Sequence, residues 1–154
     1  MPDQTKLDKT YLKMCEDWAQ LSHAERMKVG CLIVKDNQII SDGYNGTPTG
    51  FNNACEETRL LLSGREELTL PEVLHAESNA ITKLSRSTQS SEGATLYSTL
   101  SPCFECAKLI IQAGITRVVF FNEYRYGNGI NLLLKAKIKV NGPYNHKDTL
   151  FEDI

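Results

Sequence analysis

The sequence lacks a strong excess of charge of either sign. Its 17 lysines and arginines nearly balance its 19 aspartates and glutamates, which gives a formal net charge of −2. Proteins that grip RNA or DNA over a broad surface normally present a basic field, so the composition argues against nucleic acid as a partner. A local group of cations can still hold one small anion such as a phosphate.

Long apolar runs are also missing. None approaches the roughly 18 residues that a membrane-spanning helix needs, and the first six residues, MPDQTK, contain no apolar signal core. The five cysteines are odd in number and irregularly spaced, unlike a disulfide framework. We therefore expect a reduced, cytoplasmic protein with no membrane partner. A chain of 154 residues is long enough for one domain, 1-154, with its own core.

Two short segments contain residues that suit a zinc ion. They are residues 75–77 (His-Ala-Glu) and 102–106 (Pro-Cys-Phe-Glu-Cys). One imidazole and two thiolates leave the fourth tetrahedral position open, as in catalytic zinc sites. We therefore predict one catalytic Zn²⁺ per chain, held by His75, Cys103 and Cys106. The alternative is a structural zinc or a redox pair of cysteines, with His75 as a bystander.

Glu77 lies two residues after His75. Within a helix this step is about 200°, so the carboxylate points to another side and need not bind the metal. It is then free to move protons, and we predict that Glu77 is the catalytic residue. If a helix begins at Pro102, both cysteines lie in its first turn, where the helix dipole favours thiolates. An H-x-E motif followed by P-C-x-x-C is the signature of zinc-dependent deaminases.

Hydrophobic spacing predicts an α/β fold. Leu7, Tyr11, Met14, Trp18 and Leu21 recur at helical intervals and predict an amphipathic helix over 5–21. A hairpin follows at 29–34 and 39–44, then helices near 75–84, 103–113 and 129–136, and strands at 94–100, 117–121 and 138–140. This order predicts a mixed sheet with helices on both faces. Between 49 and 74 the only weak pattern is a short helix at 56–63, in what we interpret as a binding or lid segment.

Four segments together resemble the deoxycytidylate deaminase family, within the cytidine deaminase-like superfamily. They are VGCLIV (29–34), GYNGTP (43–48), HAESNAI (75–81) and YSTLSPCFECAK (97–108). The resemblance implies a three-layer α/β/α cytidine deaminase-like fold with a mixed five-stranded sheet and helices on both faces. It also implies zinc-dependent hydrolytic deamination of dCMP to dUMP and ammonia, which supplies dUMP for dTTP synthesis. In that reaction Glu77 would pass a proton from the zinc-bound water to the pyrimidine ring.

The resemblance further implies substrate contacts. Asn45 would contact the sugar, the main chain at Ala76 and Ser101 would read the base edge, and Tyr124 would lie over the nucleotide. Our candidates for phosphate or subunit contacts are Arg26, Lys28 and Arg86, each of which is alternatively a solvated surface charge.

Regulation and assembly are implied in the same way. Members of the family are commonly homo-hexamers, activated by dCTP and inhibited by dTTP at a site that would include Gly43, Tyr44, Asn45 and Gly46. Some longer relatives hold a second, structural zinc, but no complete second ligand set is evident here. Two alternatives are a deaminase for another cytosine nucleotide or nucleoside, and a nucleotide-binding regulator with a structural zinc.

Overall fold

In the computed structural model, which describes residues 3–144, five strands form one sheet in the order β2-β1-β5-β6-β7, and β3 and β4 form a separate pair. β1 pairs antiparallel with β2 and β5, whereas β5 and β6, and β6 and β7, pair in parallel. The predicted mixed five-stranded sheet is therefore confirmed. The elements are α1 (Gln4–Ala19), β1 (Gly30–Lys35), β2 (Gln38–Tyr44), β3 (Glu56–Leu61), β4 (Gly64–Thr69), α2 (Ala76–Leu84), β5 (Thr95–Leu100), α3 (Phe104–Gln112), β6 (Arg117–Asn122), α4 (Asn128–Lys135) and β7 (Lys139–Asn141).

Helices cover both faces of the sheet, as predicted. Successive residues of a strand point to opposite faces, and β1 shows this directly. Ile33 packs in the cluster that contains Ala80 of α2 and Ile110 of α3. Leu32 packs in the other cluster, with Leu12 of α1. The three layers are thus α1, the sheet, and the group of α2, α3 and α4.

The first helix begins one residue before the predicted start and ends at Ala19. Asp3 caps it, since its carboxylate accepts a 2.8 Å hydrogen bond from the Lys6 amide, which pairs one of the helix's otherwise open donors. The predicted apolar stripe is partly wrong, because Met14, Trp18 and Leu21 are 40%, 36% and 48% exposed. The buried face is narrower and runs through Tyr11, Leu12, Cys15 and Ala19.

Small residues explain this choice of face. A Cβ on Gly30 of β1 would clash with the carbonyl oxygen of Cys15 and the amide of Ala19. The helix therefore packs against the strand where neither element has a large side chain. Cys15 and Cys31 are fully buried and belong to the core.

The short helix predicted at 56–63 is wrong. Those residues belong to the antiparallel hairpin of β3 and β4, in which Leu61 pairs with Gly64 across the turn. Gly64 has a φ of 135°, a conformation that glycine adopts far more readily than other residues. The Thr58 hydroxyl also donates a 2.7 Å hydrogen bond to Glu67 on the opposite strand. Each strand is stabilised by pairing with the other strand, so a short sequence window around 56–63 does not contain the reason for its conformation.

Within residues 3–144, no helix has both the length and the apolar character that crossing a membrane requires.

Candidate active site

Three side chains suited to metal binding converge between α2 and α3. The ligand atoms of His75, Cys103 and Cys106 all lie within 4.8 Å of one another. His75 Nδ1 is 3.4 Å from each of the two sulfur atoms. A tetrahedral zinc with bonds of about 2.0 Å to nitrogen and about 2.3 Å to sulfur would hold these atoms about 3.6 Å apart. Both the donor types and their spacing therefore fit Zn²⁺.

The local sequence explains how these ligands come to face each other. His75 and Cys103 are the N-cap residues of α2 and α3, each with an extended backbone, and Cys106 lies in the first turn of α3. The Cys106 amide donates a 3.4 Å hydrogen bond to the Cys103 sulfur. Hydrogen bonds from the Cys106 thiol and from His75 hold the pKa of Cys103 below its usual value. These contacts favour the thiolate, the form that binds metals.

Glu77 lies beside this group but is not one of its members. Its side chain is buried, with 4% exposure, and the Ser98 hydroxyl donates a 3.5 Å hydrogen bond to its Oε1 atom. Burial raises the pKa of Glu77, because the charged carboxylate loses its hydration. A carboxyl group in such a setting can both accept and return a proton, which is the behaviour required of a general acid and base.

His75, Glu77 and Cys103 line a pocket of about 510 Å³, a size typical of small-molecule sites. It opens beside the N-terminal ends of α2 and α3. Its other walls are formed by the loop after α1, both ends of the β3–β4 hairpin, and the loop after β6. The lining residues are Ala24, Arg26, Met27, Val29, Asn45, Cys55, Glu56, Thr69, Val73, His75, Ala76, Glu77, Leu100, Ser101, Cys103, Glu123, Tyr124 and Arg125.

The pocket contains some of the predicted substrate residues and not others. The predicted residues that line it are Arg26, Asn45, Ala76, Ser101 and Tyr124. Among the residues that the structure describes, Lys28, Arg86, Gly43, Tyr44 and Gly46 lie outside the lining. Arg86 follows the C-terminal end of α2, whereas the pocket is at the N-terminal end.

Gly43 has a packing role in the fold. A Cβ there would clash with the carbonyl oxygen of Ala76 and the amide of Ala80, so α2 can approach β2 only because position 43 has no side chain. Next to it, the Asn79 side chain donates a 2.8 Å hydrogen bond to the Tyr44 carbonyl. The close approach to this glycine is made by the first turn of α2.

Asn45 braces one wall of the pocket. Its Oδ1 atom accepts a 2.9 Å hydrogen bond from the Val29 amide, and its Nδ2 atom donates a 2.8 Å hydrogen bond to the Met27 carbonyl. The Ser22 hydroxyl in turn donates to the Asn45 carbonyl at 2.7 Å. These bonds fix the segment that carries Arg26, so Asn45 shapes the pocket in addition to lining it.

The β3–β4 hairpin contributes pocket residues that the sequence did not reveal. Glu56 Oε1 accepts hydrogen bonds of 3.0 and 3.2 Å from the amides of Glu25 and Arg26. The Arg26 guanidinium donates a 3.1 Å hydrogen bond to the Thr69 hydroxyl. Recognising Glu56 and Thr69 requires knowing that the hairpin folds back on the loop after α1, and no local pattern carries that information.

Arg125 is a second cation of the pocket that sequence reasoning missed. A usable signal was present, because Arg125 follows Tyr124 in the loop after β6. Ligands of α/β proteins commonly bind at the carboxyl ends of parallel strands, and β5 and β6 are parallel.

Comparison with known proteins shows where this architecture occurs. Residues 5–122 match the model of the cytidine and deoxycytidylate deaminase zinc-binding region. Human deoxycytidylate deaminase is 39% identical over 106 residues, which cover 68% of this chain and 58% of the human protein. The deoxycytidylate deaminase of phage T4 is 34% identical, over 75% of this chain and 77% of the phage protein.

Solved structures show the same similarity. The dCMP deaminase of cyanophage S-TIM5, whose crystal structure is a complex with dCMP and dUMP, has a TM-score of 0.81 and 41% identity. The match covers 91% of this chain and 98% of the cyanophage chain. Some curated relatives are longer: the chain matches 41% of the length of the deoxycytidylate deaminase of Schizosaccharomyces pombe.

Proposed function

Since the chain belongs to the cytidine and deoxycytidylate deaminase family, we propose that it catalyses the zinc-dependent hydrolysis of dCMP to dUMP and ammonia. The observation that carries the proposal is the placement of Glu77 beside the group of His75, Cys103 and Cys106, at a pocket lined by Glu77, His75 and Cys103. The dCMP and dUMP in the similar cyanophage structure support the choice of substrate. The product would supply dTTP synthesis.

The proposed chemistry adds water to C4 of the cytosine ring and removes the amine. When bound at His75, Cys103 and Cys106, zinc supplies a water-derived nucleophile at neutral pH. Glu77 accepts a proton from the attacking water and delivers it to ring atom N3. As the C4–N bond breaks, Glu77 moves the remaining proton from the new C4 hydroxyl to the amine, so that C4 becomes a carbonyl and nitrogen leaves as ammonia. The burial of Glu77 keeps this proton away from bulk water.

The remaining pocket residues bind and orient the nucleotide in this proposal. The main chain at Ala76 and Ser101 reads the base edge, Asn45 contacts the sugar, and Tyr124 covers the nucleotide. Arg26 and Arg125 bind the phosphate, because guanidinium groups pair well with phosphate oxygens. Lys28 and Arg86, which lie outside the pocket lining, are then candidates for contacts between subunits.

A substrate panel tests the proposal. The zinc-loaded protein is offered dCMP, CMP, dCTP, deoxycytidine and a tRNA separately, and ammonia release is measured. We expect kcat/KM to be highest for dCMP. Turnover of only one of the other compounds would keep the zinc chemistry and reject dCMP as the substrate. Failure to deaminate any of them would reject the proposed activity.

We also propose that residues 1-154 form one cytoplasmic deaminase domain that assembles as a homo-hexamer. dCTP would activate it and dTTP would inhibit it, at a site that includes Gly43, Tyr44, Asn45 and Gly46. The two effectors would have to stabilise different conformations. We expect dCMP saturation curves that shift in opposite directions with dCTP and dTTP. Hyperbolic curves that neither nucleotide moves would contradict the regulation, and sedimentation of a monomer would contradict the hexamer.

A further inference from the structure

Residues 123–126, which we call the 123–126 loop, follow β6 and form part of the pocket wall. The Ser101 hydroxyl accepts a 2.5 Å hydrogen bond from the Tyr124 amide. Ser101 itself is buried, with 2% exposure, and it comes two residues before Cys103. The loop is therefore tied directly to the segment that carries a metal ligand.

Tyr126 holds the two residues that precede it. The Arg125 guanidinium carbon lies 4.8 Å from the centre of the Tyr126 ring, inside the roughly 6 Å range of a cation–π contact. The rings of Tyr124 and Tyr126 meet edge to face, with centres 5.9 Å apart. Tyr126 does not line the pocket, although the structure describes it. Its ring contacts both Tyr124 and Arg125, which do.

The charge on Arg125 has no carboxylate partner in the described part of the chain. The ion pairs found within residues 3–144 join Lys83 to Asp42, Lys108 to Glu105, and Arg117 to Asp8. Glu123 also lines the pocket and would repel an anion. A phosphate at this wall therefore needs a guanidinium held in position to offset that repulsion.

We infer that Tyr126 is a positioning residue for Arg125, and that the pair makes the site select nucleotides over nucleosides by binding the 5′-phosphate. This inference rests on the proposed deaminase function. A flexible arginine loses conformational entropy when it binds an anion, and a stacked one has lost part of it beforehand. The aromatic ring thus improves phosphate binding without touching the substrate. A nucleoside lacks the phosphate, so its binding gains nothing from the positioned Arg125.

The test compares kcat/KM for dCMP with kcat/KM for deoxycytidine, using the zinc-loaded full chain. Arg125→Ala should lower the dCMP-to-deoxycytidine ratio by about 10-fold or more, since hydrogen bonds that involve charged groups are stronger than those between neutral groups. Tyr126→Leu should lower the ratio by about 2- to 5-fold, as expected for an exposed cation–π contact. Tyr126→Phe keeps the ring and should restore the wild-type ratio. The double variant Arg125→Ala/Tyr126→Leu should be no worse than Arg125→Ala, because both changes remove one interaction.

Arg65→Ala is the matched control, since it removes the same charge from the exposed strand β4. A ratio that falls equally in this variant would show a general charge effect and overturn the inference. It would also be overturned if Tyr126→Leu lowered kcat/KM for both substrates alike. Calorimetric binding of dUMP and deoxyuridine gives a second readout. Arg125→Ala and Tyr126→Leu should lower the affinity for dUMP and leave the affinity for deoxyuridine unchanged. A wild-type protein that fails to deaminate dCMP rejects the proposed function, whereas wild-type turnover with an unchanged ratio in Arg125→Ala rejects this inference alone.

Discussion

Arg117 of β6 and Asp8 of α1 form a two-point ion pair beneath the first helix. The Arg117 Nη1 atom lies 2.8 Å from Asp8 Oδ1, and Nη2 bonds to Oδ2. The Tyr97 hydroxyl donates a further 2.6 Å hydrogen bond to Oδ1. The two charged side chains are only 14% and 2% exposed, so this network attaches α1 to the sheet in a region with little solvent.

This ion pair predicts a loss of stability in acid. Burial alone would raise the pKa of Asp8, but hydrogen bonds from Arg117, Tyr97 and Gln4 outweigh it and leave the pKa below its usual value. The stabilisation is therefore fully present above the unfolded carboxyl pKa of about 4. It is lost as the pH falls below 4 and through the lower pKa of the folded state. Urea unfolding at pH 7 and at about pH 3 would measure the difference.

Asp8→Asn should lower the free energy of unfolding by about 3 kcal/mol at pH 7, because it leaves the buried Arg117 charge without its carboxylate partner. It should also flatten the acid dependence. Asp17→Asn, on an exposed position of the same helix, is the control and should change little. Equal stability of the Asp8 variant and wild type would contradict the assigned role.

Glu77→Gln should abolish most turnover without removing the metal. Glutamine keeps the shape of the side chain but cannot carry the proton, so we expect kcat to fall by about 10²- to 10⁴-fold. Zinc content, measured by atomic absorption, should stay at the wild-type value. Glu105→Gln removes an exposed carboxylate from the first turn of α3 and serves as the control. Wild-type turnover by the Glu77 variant would contradict the role of Glu77 as general acid and base.

Metal removal should be reversible and should involve one ion per chain. We expect a chelator to abolish deamination and added Zn²⁺ to restore it, since the three donors fit a single tetrahedral ion. His75→Ala should lose zinc, whereas His23→Ala, on an exposed residue, should retain it. Metal analysis that returned two ions per chain would show that a second ligand set had been overlooked.

Gly129→Ala should disturb the site from a distance. A Cβ at Gly129 would clash with the main chain of Pro102 and Cys103, whereas a Cβ at Gly127 would meet nothing within 4 Å. The added methyl should displace the segment that carries Cys103 and lower the free energy of unfolding by about 1–3 kcal/mol. Zinc affinity should fall with it. Gly127→Ala is the paired control, and equal effects of the two changes would contradict this steric account.

The fold was predictable wherever a pattern was local and strong. The nearly continuous apolar run of β1 and the strands β5 and β6 were identified because each is buried in the centre of the sheet. The β3–β4 hairpin was missed because both strands are mostly exposed and each strand is stabilised by pairing with the other. The buried face of α1 was misjudged because Cys15 and Ala19, and not larger apolar residues, meet Gly30.

The sequence by itself determined the donor atoms of the candidate metal site and the acidic residue beside them. Those features follow from short spacings: Cys106 lies about one helical turn after Cys103, and Glu77 lies two positions after His75. Tertiary structure alone decided which cations belong to the pocket. Arg26 and Arg125 line it while Lys28 and Arg86 do not, because proximity between distant segments arises from the packing of the helices, the hairpin and the sheet. Residue type and local spacing do not contain that information.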